Sequence, residues 1–245
     1  MLSERSFKDD LAVVTGASSG IGRAIGVGLA AHGAEVGLVA RRQNMLEEVA
    51  GEVHARGGRA RVFCTDLTRD DDIHRLALSL HRDFGRVDVL VLCGGTMFHG
   101  ALERAPLDQF DLQYRSNLRG HYALTQLLLP LLRKQPGQIV FINSSAALRS
   151  PANLGQYSAM QHALRAVADS LRDEVNADGI RVLSIYPGRT ATPRMAALYE
   201  NEGRPYRPEL LMQPEDVAAM VIHALTLPRS AEVTDISMRP MQKSY

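Results

Sequence analysis

Three short stretches of this 245-residue chain hold residues whose types and spacing could do chemistry. The first is TGASSGIG over 15–22. It sets Gly16, Gly20 and Gly22 where an apolar, strand-like run gives way to a helical pattern, with Ser18, Ser19 and Ile21 between and beside them. Glycines at such a turn let the chain bend sharply and let its backbone approach a pyrophosphate, while the helix N-terminus faces the anion. Glycines alone are also plain turn residues; the position directly after the first strand is what points to a dinucleotide. No Gly-Lys-Ser/Thr follows, which excludes a Walker loop. The second stretch is VARR over 39–42, closing the second apolar run. A carboxylate there would bind the ribose hydroxyls of NAD, but Ala40 stands in its place, followed by Arg41 and Arg42. Guanidinium groups suit a 2′-phosphate, so NADP(H) is expected over NAD(H); the plainer reading is two solvated arginines opening a helix. The third is YSAMQHAL over 157–164. Tyr157 begins a helical pattern, and Gln161 lies one turn on, along the same face.

These residues need a frame. Strand-like runs at 11–16, 35–40, 60–66, 87–95, 137–145, 180–188 and 233–238 alternate with helical patterns at 21–33, 43–57, 70–85, about 107–134, about 155–177 and about 214–227. Such alternation, with nearly continuous apolar strands, specifies α/β architecture: one doubly wound, Rossmann-type domain over 1–245, its mostly parallel sheet of about seven strands covered on both faces. Asp66 and Leu67 follow the third strand, where Asp66 could meet an adenine or cap the next helix in DLTRDDD. Residues 190–212 hold Pro193, Gly203, Pro205 and Pro208 and read as irregular, a place for a substrate lid. Met195, Leu198, Tyr199, Tyr206, Leu210, Leu211 and Met212 there would favour an apolar or bulky carbonyl compound, or simply pack the lid.

Composition narrows the function classes. There are 28 basic and 27 acidic residues, so no bulk charge argues for nucleic acid or an anionic membrane. The polar start MLSERSFKDD lacks a signal-peptide core, and the longest apolar runs are too short to span a bilayer. Cys64 and Cys93 have no paired spacing, and the histidines no metal-ligand spacing. A cytoplasmic protein without metal, acting on a small molecule, is expected.

The motifs in their order resemble the short-chain dehydrogenase/reductase family over nearly the whole chain. TGASSGIG looks like its cofactor turn, and DVLVLCGG (88–95) stands at the family's Asn-Asn-Ala-Gly strand end, with Leu92 and Cys93 replacing the asparagines ahead of Gly94. SNLRGHYALTQLLLPLL (116–132) supplies the helix asparagine as Asn117, INSS (142–145) the serine, and YSAMQ the tyrosine–lysine motif with glutamine at its end. YPGRTAT (186–192) matches the segment that contacts nicotinamide, bringing in Pro187, Gly188, Thr190 and Thr192. The resemblance implies hydride transfer between a nicotinamide and a carbonyl or alcohol. Ser144 would hydrogen-bond the carbonyl oxygen, Tyr157 would move the proton and Asn117 would hold a water. Ser145 is the alternative serine. The family's lysine binds ribose and charges the tyrosine's surroundings; Gln161 can do only the first. Arg165, His162, Arg189 and His99 are candidate substitutes for its charge. Three readings follow: an NADP(H) oxidoreductase weakened at Gln161, a cofactor-binding protein without redox activity, or a non-redox enzyme in the same site. The resemblance also implies a homodimer or homotetramer through the helices at 107–134 and 155–177, using Leu118, Tyr122, Leu127, Leu128, Leu164 and Val167.

Overall fold

A computed structural model describes residues 7–242. Seven strands form one wholly parallel sheet in the order β3-β2-β1-β4-β5-β6-β7. They are β1 (Leu11–Thr15), β2 (Glu35–Ala40), β3 (Arg59–Cys64), β4 (Val89–Leu92), β5 (Gln138–Ile142), β6 (Arg181–Pro187) and β7 (Asp235–Met238). β1, β4, β5 and β6 are buried along their full length, which is why they read as unbroken apolar runs. The winding reverses between β1 and β4. The crevice outside the strands' carboxyl ends at that reversal is where open α/β sheets bind ligands.

Helices α1 (Gly20–Ala31), α2 (Gln43–Ala55) and α8 (Pro214–Thr226) cover one face; α3 (Asp70–Asp83), α5 (Gly120–Leu132) and α6 (Gly155–Val175) cover the other. Ile25, Leu29, Leu38 and Leu46 anchor the first core layer, and Leu80, Leu90, Leu124 and Phe141 the second; each of these is fully buried. Truncating any of the leucines to alanine would cost about 2–5 kcal/mol.

The helical stretch at 107–134 is present and unbroken from 107 to 132, but it is not uniform: α4 (Leu107–Gln113) passes through a π-helical segment, Tyr114–Arg119, into α5. The wider turn is compensated by side chains. Ser116 Oγ donates to the Leu112 carbonyl at 2.8 Å, and Asn117 Oδ1 accepts from the Thr96 amide at 2.7 Å. Nor is 190–212 wholly irregular. It contains α7 (Pro193–Asn201), started by the Thr192 side chain, which accepts from the Met195 amide at 3.2 Å, with Pro193 at the first helical position. Of the residues named for a subunit interface, Leu128 and Leu164 are buried inside this chain, 0% and 1% exposed, because both helices pack on the sheet. Tyr122 is exposed, while Leu118, Leu127 and Val167 are half-buried.

Candidate active site

A cleft of about 800 Å³ opens at the carboxyl edge of the sheet, above the β1–β4 reversal. It is lined by every residue assigned in the sequence to the cofactor, together with Asn117, Ser144, Tyr157 and Gln161, from Gly16 on β1's exit to Thr192 at the start of α7.

The glycine turn forms one end. Gly16 and Gly20 adopt positive φ of 65° and 54°. A Cβ on Gly22 would stand 2.4 Å from the Gly16 carbonyl oxygen, so only glycine lets α1 start this close to the strand. Ser19 occupies the N-cap of α1 but makes no side-chain cap, and no acidic residue stands in the first turn. The first amides of α1 are therefore open to an anion. Thr15, which sequence reasoning passed over, fastens the neighbouring strand end: its Oγ1 accepts from the Cys93 and Gly94 amides at 2.9 and 3.2 Å. A hydroxyl closing an otherwise apolar strand was the available signal.

Arg41 and Arg42 are exposed on the cleft rim, and neither makes an ion pair among the described residues. Asp66 is not a helix cap, since α3 begins after Arg69. Its Oδ1 instead accepts from the Thr68 amide and hydroxyl at 2.9 and 2.8 Å. Asp66 and Leu67 still line the cleft.

The other end gathers the polar side chains. Ser144 leaves β5 in an extended conformation and caps a single 3₁₀ turn, with its Oγ accepting from the Ala146 amide at 3.1 Å. Ser145 is more exposed and also lines the cleft, so both serines border it. Tyr157 and Gln161 project from α6 into the cleft, 7% and 5% exposed. The Gln161 Oε1 is buried and without a hydrogen-bond partner. A buried acceptor without a partner is costly, and a donor such as a ribose hydroxyl would satisfy it. Asn143, also missed, joins the two sides: its Oδ1 accepts from the Ser144 amide at 2.8 Å, and its Nδ2 donates to the Gln161 carbonyl at 3.2 Å. Asn117 lines the cleft from the π segment, held by Thr96 through the amide bond described above and by Nδ2 donating to the Thr96 carbonyl at 2.7 Å. Pro187, Gly188, Thr190 and Thr192 close the cleft from β6 and the start of α7.

The candidate charge substitutes separate. Arg165 lies over the Tyr186 ring at 5.8 Å and faces Asp169 at 3.8 Å; His162 is exposed, its Nδ1 2.9 Å from the Ser158 carbonyl. Neither lines the cleft, whereas His99, Arg149, Arg189 and Arg194 do. Partial burial lowers the His99 pKa below the usual imidazole value, and Arg189 lowers it further. Glu202, 3.3 Å away, opposes both. Burial pushes the Cys93 thiol up to about 12, which removes it as a nucleophile despite its place in the cleft. Of the apolar lid side chains, only Met195 lines the cleft. Tyr199 is instead buried, with Arg189 and Arg204 over its ring and Tyr206 edge-on to it. Tyr199 and Tyr206 thus pack within the lid, while Met212 joins the core on the α1 and α8 side of the sheet.

The model of the short chain dehydrogenase family matches residues 10–203, a span that takes in the glycine turn, both serines, Tyr157 and Gln161. The chain belongs to this family. An uncharacterized oxidoreductase of Staphylococcus epidermidis is 31% identical over 235 residues, covering 96% of this chain and 98% of its own length. The glycine betaine reductase ATRR of Emericella nidulans is 34% identical over 236 residues, but the chain spans only 18% of that protein's length. Among solved structures, the L-sorbose reductase of Gluconobacter frateurii, complexed with NADPH and L-sorbose, superposes with a TM-score of 0.89 at 26% identity, covering 99% of this chain and 100% of that one. The short-chain dehydrogenase fold accounts for the sheet order and for the cleft at its carboxyl edge. No helix among the described residues is long and apolar enough to cross a membrane, and no cluster of three or more metal-ligating side chains occurs among them.

Proposed function

We propose that this chain is an NADP(H)-dependent oxidoreductase that interconverts a carbonyl and an alcohol, working without the charge that a lysine at 161 would bring. The observation that carries the reading is the convergence of Asn117, Ser144, Tyr157 and an unpartnered Gln161 Oε1 on the cleft that contains the glycine turn. A protein that only held a cofactor would need neither Ser144 nor Tyr157 there.

The residues fit a dinucleotide. The α1 amides and the glycine turn would take the pyrophosphate, Arg41 and Arg42 a 2′-phosphate, Asp66 and Leu67 the adenine side, and Gln161 the ribose hydroxyls next to nicotinamide. Pro187, Gly188, Thr190 and Thr192, with Gly94, would hold the carboxamide end. When bound, the nicotinamide supplies or accepts the hydride. Ser144 Oγ donates a hydrogen bond to the carbonyl oxygen as negative charge develops on it. Tyr157 Oη delivers the proton in reduction and removes it in oxidation. Asn117, fixed in the π segment, positions a water that connects the cleft to solvent.

Turnover against a panel of ketones with NADPH, and of alcohols with NADP⁺, tests this directly. NADPH binding without turnover of any compound would favour the second reading, a cofactor-binding protein, for which Gln161 is the supporting residue. NADH binding as tightly as NADPH would sink the cofactor preference.

A further inference from the structure

Arg194 is a cation in the cleft that the proposed chemistry leaves without a task. It is the second residue of α7, and its guanidinium reaches across to donate to the Gly95 carbonyl oxygen. Gly95 is a neutral partner, and Arg194 makes no ion pair among the described residues.

Two close approaches put this bridge over the anion cradle. A Cβ on Gly20, at the start of α1, would stand 3.0 Å from Cγ2 of Thr192, so the segment entering α7 lies against the helix N-terminus. A Cβ on Gly16 would stand 2.9 Å from the Cα of Gly94, so the strand end carrying the Gly95 carbonyl abuts the glycine turn from the other side. Arg194 thus joins the two walls between which a pyrophosphate would sit. Among the described residues the first turn of α1 offers backbone dipoles and one cation, Arg23, which is paired with Glu52.

We propose that Arg194 is a cofactor-positioning latch, exchanging the Gly95 carbonyl for the dinucleotide's pyrophosphate and so tying α7 to bound cofactor. This rests on the dinucleotide reading above. A guanidinium can bond two charged phosphate oxygens through its planar fork, where the carbonyl offers one neutral acceptor. That difference in interaction is what would hold Arg194, and with it the start of α7, on bound cofactor.

The test uses three probes on the full chain: NADPH, 2′-phospho-ADP-ribose, which keeps the pyrophosphate without nicotinamide, and adenosine 2′-monophosphate, which has no pyrophosphate. Affinities are measured by calorimetry for the unaltered chain, Arg194→Gln and Arg194→Lys. Arg194→Gln should weaken the first two probes about tenfold or more and leave the third unchanged, with Arg194→Lys between. Hydrogen exchange gives a second readout: 2′-phospho-ADP-ribose should slow the α7 amides in the unaltered chain and not in Arg194→Gln. Unchanged NADPH affinity in Arg194→Gln, equal loss for all three probes, or equal α7 protection in both proteins would each overturn the latch. Failure of the unaltered chain to bind NADPH would overturn the dinucleotide reading itself.

Discussion

Replacing Gln161 by lysine should speed catalysis, and the size of the gain can be worked from the helix. Residues at i and i+4 have Cβ atoms about 5–6 Å apart, and Tyr157 and Gln161 both face the cleft from α6. A unit charge ~6 Å from the phenolic oxygen, at an effective dielectric of about 20, favours phenolate over phenol by about 3 kcal/mol. That corresponds to about two pH units in the profile of alcohol oxidation, which should move to lower pH. Gln161 is only 5% exposed, so a lysine there loses hydration and part of this gain. A tenfold to hundredfold rise in kcat near neutrality is the order expected. Steady-state kinetics with an accepted substrate, across pH, is the assay. Two controls isolate the cause: Tyr157→Phe in the lysine background should abolish the gain, and Gln161→Leu should raise the KM for cofactor without producing it. If the lysine variant is no faster than the parent at any pH, the missing-charge argument is wrong, and a cation already in the cleft is doing that work.

Three further outcomes are expected. Arg41→Ala with Arg42→Ala should weaken NADPH by about 1.5–3 kcal/mol in a fluorescence titration and leave NADH unchanged; equal loss for both cofactors would refute a 2′-phosphate site. His121 is 1% exposed, and burial pushes its pKa down from 6.5 to about 4 despite opposition from the neighbouring backbone of Asn117 and Gly94. The folded chain then resists a proton that the unfolded chain takes, so stability is full above pH 6.5 and falls by up to about 3 kcal/mol toward pH 4; His121→Leu should flatten that loss in urea titrations, and an unchanged slope would refute it. Light scattering should give a dimer or tetramer, since Leu107, Phe110, Tyr114 and Tyr122 stay exposed on α4, the π segment and α5; a monomer at micromolar concentration would refute assembly through that face.

The frame was legible because its signals are local and repeated. Each buried strand is a run of apolar residues, and each helix has a period that a parallel sheet demands. The glycine turn was legible for the same reason, its spacing being set by a backbone approach within a few residues. What escaped depends on partners far apart in sequence. Thr15 meets Cys93 and Gly94, and Asn143 meets Gln161, through single hydrogen bonds that leave no periodicity. The π segment escaped because its composition is that of a helix, and the bonds that compensate its wider turn, Ser116 to the Leu112 carbonyl and Asn117 to Thr96, leave no pattern in the sequence. α7 was obscured by its prolines, although Thr192-Pro193 is itself a start signal once read as cap and first turn.

Position 161 separates two tasks that one lysine performs together in the family pattern, gripping ribose and supplying charge. The backbone there is fixed by Asn143 whatever the side chain, because the bond is made to the Gln161 carbonyl. Under the proposed function the grip would survive the exchange, since the buried Gln161 Oε1 has no partner and would accept from a ribose hydroxyl. The charge does not survive it. Arg165 and His162, the basic groups nearest in the helix, are turned away from the cleft. The cations that do line it come from other elements: Arg194 donates to the Gly95 carbonyl, Arg189 donates to the Tyr199 hydroxyl, and His99 faces Glu202 with its own protonation disfavoured by burial, while Arg41, Arg42 and Arg149 stand exposed on the rim. Under the proposed function, cofactor binding and proton transfer would therefore rest on different residues of this chain, and a substitution at 161 would move one and leave the other in place.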